Sequence, residues 1–217
     1  LWPSQVVAIP KINEGTPGAR PNFLVKMPTS AGKTNIAELS ILRFLMDFPQ
    51  GSDKKCIYIA PFHALGSQVE AKLQKNFLPL GVGVSDLYGG FEISPADRFL
   101  FDQQRILVAT PEKVDALFRY NPDFASQIGL IVIDEGHLIE ESDRGLRFEM
   151  LIHRLVRRYA NGGARLILAS AVLGQTDSLV EWITGAANAD GLQTSNFRPT
   201  RNYLGLLSWD GQTATRE

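Results

Sequence analysis

The chain has 217 residues, 44% of them hydrophobic, and a net charge of −1 at neutral pH. That length suits one sizeable domain with its own core. The near-zero charge excludes a general basic coat for nucleic acid, so any such contact must come from a local surface.

Short apolar runs alternate with segments of helical period. In chain order, the pattern predicts a strand at FLVKM (23–27), a helix from Lys33 to Phe48, a strand at KCIYIA (55–60) and a helix from His63 to Phe77. Strands at VGVSDLY (82–88) and RILVAT (105–110) follow, then a helix from Pro111 to Tyr120. After it come a strand at LIVIDE (130–135), a helix from Asp143 to Tyr159, a strand at RLILAS (165–170) and a helix from Thr176 to Ile183. Several runs are apolar nearly throughout, as strands covered on both faces are. In the 143–159 helix, Leu151, Leu155 and Val156 share one stripe, while Arg154, Arg157 and Arg158 lie mostly outside it. Pro111 and Glu112 suit a helix start by proline geometry and by the helix dipole. NGG at 161–163 reads as a helix end, and GAANADG at 185–191 as a surface loop. Strands alternating with helices imply an α/β fold with a parallel sheet, which binds ligands at the carboxyl ends of its strands.

The single cysteine, Cys56, cannot form an internal disulfide and, within CIYIA, reads as a buried inert thiol. No secretory leader and no bilayer-length apolar run is visible, which points to an intracellular protein without a membrane partner. The first residue is Leu1 rather than Met, in a stretch that already reads as structured, so the chain reads as a fragment.

MPTSAGKT (27–34) follows a strand and opens a helix, the context a phosphate-binding loop needs. Backbone N–H groups of Ser30, Ala31, Gly32 and Lys33, in a loop that also holds Thr29, can wrap a β-phosphate, helped by the helix N-terminus. Gly32 permits close approach of the main chain. Lys33 places an ammonium between β- and γ-phosphates, and Thr34 offers its hydroxyl to Mg²⁺. Met27 replaces the usual first glycine, at a strand end that does not touch phosphate. The expected ligands are therefore ATP and Mg²⁺.

IVIDEGH delivers Asp134 and Glu135 to the same sheet edge as that loop. Asp134 is expected in the Mg²⁺ shell, and Glu135 as the general base that deprotonates an attacking water. Taken alone, a DE pair is also what any solvated strand end can carry. His137 reads either as a structural histidine or as a relay from the nucleotide to another strand end.

PTSAGKT followed by DEGH resembles the first RecA-like domain of superfamily-2 helicases. Further segments resemble that family's motifs in order, over essentially the whole chain. WPSQ resembles the region where Gln5 would read the adenine edge. APFHALGSQ (60–68) resembles motif Ia, with Pro61 and Ala64 in matching slots. Gly89 and Gly90 match the GG motif, ATPEK (109–113) resembles motif Ib, and SAV (170–172) stands at motif III, with Ser170 expected to couple hydrolysis to movement. TPEK, DEGHLI…DRGLRFE and FRPTRNYLG are similar to the superkiller-type (Ski-like) branch, with Arg144-Gly145 after the acidic motif and Arg198-Pro199 at the domain exit. The resemblance implies a RecA-like ATP-binding domain over 1–197 and an exit segment over 198–217, leading to a second RecA-like domain that supplies arginine fingers. Val172 stands where the family has Thr, so one hydroxyl for coupling is missing.

The edge carrying motifs Ia, GG and Ib suits a single-strand backbone. Small residues admit main-chain N–H groups to phosphates, Thr110 adds a hydroxyl, and the helix start at Pro111 and Glu112 adds its dipole. Read singly, Gly89-Gly90 is equally a turn and Thr110-Pro111 equally a helix cap. Such contacts imply little base preference and do not separate DNA from RNA. Three functions share these motifs: a helicase ATPase, a double-strand translocase, and an ATP-gated clamp that binds a strand without unwinding it.

Overall fold

The computed structural model describes residues 2–28, 31–87, 89, 92–120, 123–136, 143–171, 176–185, 191–196, 207–209 and 214–216. Strands form at all six predicted runs: Phe23–Lys26 (β1), Lys55–Ile59 (β2), Val84–Leu87 (β3), Ile106–Ala109 (β4), Ile128–Ile133 (β5) and Arg165–Ser170 (β6). A seventh, Leu192–Thr194 (β7), completes a sheet of order β3-β4-β2-β5-β6-β1-β7. Every neighbouring pair is parallel. The fold is thus α/β with a seven-stranded, wholly parallel sheet.

The apolar runs are continuous because alternate residues enter two separate cores. Phe23, Val25, Cys56, Tyr58, Val132 and Ile167 pack with Ile12, Ile36, Ile41 and Leu73 on one face. Leu24, Ile57, Ile131, Ile133 and Leu168 pack with Phe101, Leu117, Leu151 and Val180 on the other. Helices Pro3–Asn13 (α1), Lys33–Asp47 (α2) and His63–Phe77 (α3) cover the first face. Pro95–Gln103 (α4), Pro111–Tyr120 (α5), Asp143–Arg158 (α7) and Thr176–Thr184 (α8) cover the second, with the single turn Phe124–Gln127 (α6) at its edge. Each fully buried Leu or Ile contributes about 1.5–3 kcal/mol. Cys56 is fully buried, and burial pushes its thiol well above the ordinary cysteine range, so it is inert as expected. No helix among the described residues is long and apolar enough to cross a membrane.

Several features lie outside the sequence expectation. Helix α1 carries Pro10 inside it and leaves Val6 and Val7 half exposed, so its amphipathic signal is weak. Its last turn is held instead by Arg165, which donates to the carbonyls of Ile12 (2.8 Å), Lys11 (2.5 Å) and Pro21 (2.8 Å). Helix α4 starts at a capping box in which Ser94 accepts from the Asp97 N–H at 3.1 Å and donates its own N–H to Asp97 Oδ2 at 2.7 Å. Strand β7 is three residues long and pairs only with β1. Leu207–Trp209 (β8) and Ala214–Arg216 (β9) pair antiparallel with each other, within what the sequence presented only as an exit segment. After α7, Gly162 (φ 93°) and Gly163 (φ 106°) turn the chain, as NGG suggests. Most of GAANADG lies outside the described residues.

Candidate nucleotide site and nucleic-acid edge

Strand β1 ends at Lys26, and Met27 still joins the sheet by donating its N–H to the Ser170 carbonyl at 3.0 Å. The Met27 side chain is buried, so its thioether fills core rather than loop. Gly32 caps α2 with φ 90° and ψ 29°, a left-handed conformation that favours glycine. Ala31 is fully buried and donates its N–H to the Pro28 carbonyl at 3.2 Å. Lys33, 8% exposed, turns its ammonium toward the Met27 carbonyl at 3.4 Å, across the mouth of the loop. Thr34 is half buried in the first turn of α2. Thr29 and Ser30 lie outside the described residues.

Helix α1 brings Gln5 onto this loop. Gln5 is 2% exposed, and its Oε1 accepts the Trp2 N–H at 2.9 Å. Its Nε2 is buried with no hydrogen-bond partner among the described residues, and it lies so close to Gly32 that a Cβ there would sit 2.2 Å away. An unpaired buried donor costs about 1–3 kcal/mol. This one stands beside the loop that precedes α2, where a purine ring nitrogen would accept from it, so the residues fit a purine nucleotide.

Asp134 follows β5, is 5% exposed, and donates its N–H to the Ile59 carbonyl at 3.0 Å. Its Oδ1 accepts the Glu135 N–H at 2.9 Å and its Oδ2 the Tyr58 hydroxyl at 2.5 Å. Glu135 has φ 51°, the sole positive value at a non-glycine among the described residues. Such a conformation costs about 1–2 kcal/mol and is concentrated at working sites. Ser170, fully buried at the end of β6, lies between Asp134 and the phosphate loop in strand order β5-β6-β1. The metal donors expected from the sequence are the Asp134 carboxylate and the Thr34 hydroxyl. That hard-oxygen set matches Mg²⁺, which keeps several waters and draws its other ligands from phosphates. His137 and Val172 lie outside the described residues, as do Arg198, Pro199 and Arg201.

Motifs Ia, GG and Ib do meet at one edge, in a spatial order that differs from the chain order. Pro61 follows β2, Thr110 follows β4 and Gly89 follows β3, and these strands lie in the order β2-β4-β3. Pro61 is buried and Ala64 exposed in the first turn of α3. Gly89 is exposed with φ 114°, and Gly90 is outside the described residues. Thr110 is only 9% exposed, and its hydroxyl accepts the Lys113 N–H at 3.4 Å, so it serves as a helix cap. Pro111 is buried and Glu112 half buried.

Two residues without a sequence-assigned role organise these sites. Tyr58 looks like an ordinary core aromatic until its hydroxyl is seen on Asp134. Lys113, 2% exposed, donates to Asp97 Oδ2 at 2.9 Å and to the Glu92 carbonyl at 2.8 Å, joining α5 to the start of α4 beside Gly89. Burial alone would raise the Asp97 carboxyl, but the bonds from Lys113 and Ser94 outweigh it and hold it below the usual carboxylate range. The capping box at 94–97 was readable in SPAD; the Lys113 partner was not.

A family model described as "DEAD/DEAH box helicase" matches residues 2–179. The chain is 38% identical over 200 residues to the Hachiman protein HamB of Bacillus cereus, covering 88% of this chain and 17% of that protein. It is 30% identical over 196 residues to the ATP-dependent DNA helicase Hel308 of Methanococcus vannielii, covering 90% and 24%. It is 31% identical over 213 residues to the RQC trigger complex helicase SLH1 of Saccharomyces cerevisiae, covering 90% and 11%. The chain therefore spans a quarter or less of each of these relatives. Among solved structures, the DUF1998 helicase MrfA bound to DNA superposes with a TM-score of 0.69 at 22% identity, covering 90% of this chain and 27% of that one. That likeness is one of fold.

Proposed function

The chain belongs to the DEAD/DEAH box helicase family of ATP-dependent helicases and is homologous to Hel308; from that premise we propose that it is the ATP-binding RecA-like half of a Ski-like, strand-moving motor. Residues 1–197 form this half, and 198–217 lead toward a second RecA-like domain. The observation that carries the nucleotide assignment is the buried, unpartnered Gln5 Nε2 lying against Gly32.

Gln5 donates to the adenine edge. The N–H groups of Ser30, Gly32 and Lys33 wrap the phosphates, the Ala31 N–H being given to the Pro28 carbonyl, and the Lys33 ammonium meets the β- and γ-phosphates. Asp134 and Thr34 would hold Mg²⁺, which when bound neutralises phosphate charge. Glu135 accepts the proton of a water whose oxygen attacks the γ-phosphorus in line, as the bond to the β-phosphate oxygen breaks. Products are ADP and inorganic phosphate. His137 and Ser170 relay the change to the strand edge.

That edge takes a single strand across Pro61 and Ala64, then the α5 start at Thr110, Pro111 and Glu112, then Gly89-Gly90. Thr110 contributes mainly by fixing the helix N-terminus. Single-stranded DNA is the proposed substrate, supported by the Hel308 relatives, which are named as DNA helicases. The work is placed inside the cell, where ATP and nucleic acid meet. The test is ATP turnover by the full-length protein with single-stranded DNA, with single-stranded RNA and with neither. Stimulation by DNA above RNA is expected; turnover indifferent to single strands would leave the double-strand translocase and the clamp.

A further inference from the structure

Tyr58 lies on β2 opposite Val132 of β5, two residues short of Asp134. Its ring is 1% exposed among apolar neighbours, a slot that phenylalanine would fill as well. The hydroxyl is what distinguishes it, and it is spent on one atom, Asp134 Oδ2, at 2.5 Å. The other oxygen, Oδ1, is held by the Glu135 N–H at 2.9 Å. Both carboxylate oxygens thus accept a hydrogen bond, one from the main chain and one from a side chain on a neighbouring strand. Burial, with Asp134 adding, pushes the Tyr58 hydroxyl well above its ordinary range, so it stays a donor.

We propose that Tyr58 is a positioning residue for the magnesium carboxylate: its hydroxyl fixes the rotation of the Asp134 side chain so that the remaining lone pairs face the phosphate loop. This rests on the reading of Asp134 as the Mg²⁺ ligand. Mg²⁺ demands near-ideal octahedral geometry, whereas Ca²⁺ accepts irregular shells. Orientation of the one protein carboxylate therefore matters most for Mg²⁺. Partners that hold a ligating carboxylate typically change metal affinity by about 10–100-fold when removed.

The test is a Mg²⁺ titration of binding of a fluorescent, non-hydrolysable ATP analogue to the full-length protein. Tyr58→Phe is expected to raise the Mg²⁺ midpoint about tenfold. Binding of the analogue without metal should stay unchanged, and the Ca²⁺ midpoint should move less. An unmoved Mg²⁺ midpoint overturns the inference, as does an equal loss of metal-free binding, which would make the hydroxyl a packing element. Asp134→Asn separates the two levels. If it moves the midpoint and Tyr58→Phe does not, Tyr58 alone is misassigned. If Asp134→Asn itself leaves the midpoint unmoved, the magnesium reading of Asp134 fails and Tyr58 falls with it.

Discussion

Gln5 and Gly32 occupy one space: a single carbon added to Gly32 would stand 2.2 Å from the Gln5 amide nitrogen. Gly32→Ala must therefore displace Gln5 and also hold a left-handed φ of 90°, at about 1–2 kcal/mol for the backbone alone. The expected result is a folded protein with nucleotide affinity reduced tenfold or more, by roughly 1.4 kcal/mol. Calorimetric titration with an ATP analogue checks it, with circular dichroism as the fold control.

Lys33→Ala removes the one described ammonium at the loop mouth. Nucleotide binding should weaken, because the ammonium proposed to meet the β- and γ-phosphates is lost. Unchanged affinity in a folded variant would remove the phosphate-loop assignment.

Glu135→Gln should bind ATP normally and lose hydrolysis in the full-length protein, since an amide cannot accept the proton of the attacking water. Single-turnover measurement of phosphate release reads the step directly. Wild-type release would place the base elsewhere.

The pair of Lys113 and Asp97 makes stability depend on pH. The folded Asp97 carboxyl lies below its unfolded value of about 3.9. Its contribution is therefore fully present above that value and is lost as pH falls through the folded one. Lys113→Met leaves a buried carboxylate without its cation and should cost about 3 kcal/mol near neutral pH. Urea midpoints between pH 7 and pH 3 should show a smaller difference between variant and wild type at the acid end.

Residues 1–217 alone should turn over ATP slowly even with single strands present. On the proposed assignment, Lys33, Thr34, Asp134 and Glu135 would still bind nucleotide, while a facing domain would bring positive charge to the leaving phosphates, a contribution of about 10³-fold or more. Comparison with the full-length protein at matched ATP and saturating strand decides it. Equal rates would make this half a self-sufficient ATPase.

The six main strands were legible because both faces of the sheet are covered, which leaves almost no polar residue inside β2, β4 or β5. Loop and acidic motif were legible because each is contiguous in the chain. Helix α1 was not, since Pro10 and the half-exposed Val6 and Val7 break its period, and its C-terminus is secured by Arg165, 153 residues from Ile12. Strand β7 is three residues long and takes its identity from β1. Tyr58 and Asp134 are 76 residues apart, and a lattice of identical-looking apolar strands gives no hint of which ones adjoin. The order β2-β4-β3 of the strand-contact motifs is hidden for the same reason.

Strand order also sets a distance between two polyanions. From β1, which bears the proposed phosphate loop, to β2, which leads to Pro61, is three strand spacings, and to β4, which leads to Thr110, four; at about 4.8 Å each that is roughly 14 to 19 Å. The screening length in physiological salt is about 8 Å. On the proposed reading, repulsion between triphosphate and strand backbone through the solvent is therefore largely screened. The number of salt ions released when a strand binds should be the same whether the nucleotide site is empty or filled, and whatever passes between them must travel as displacement of the sheet's carboxyl edge.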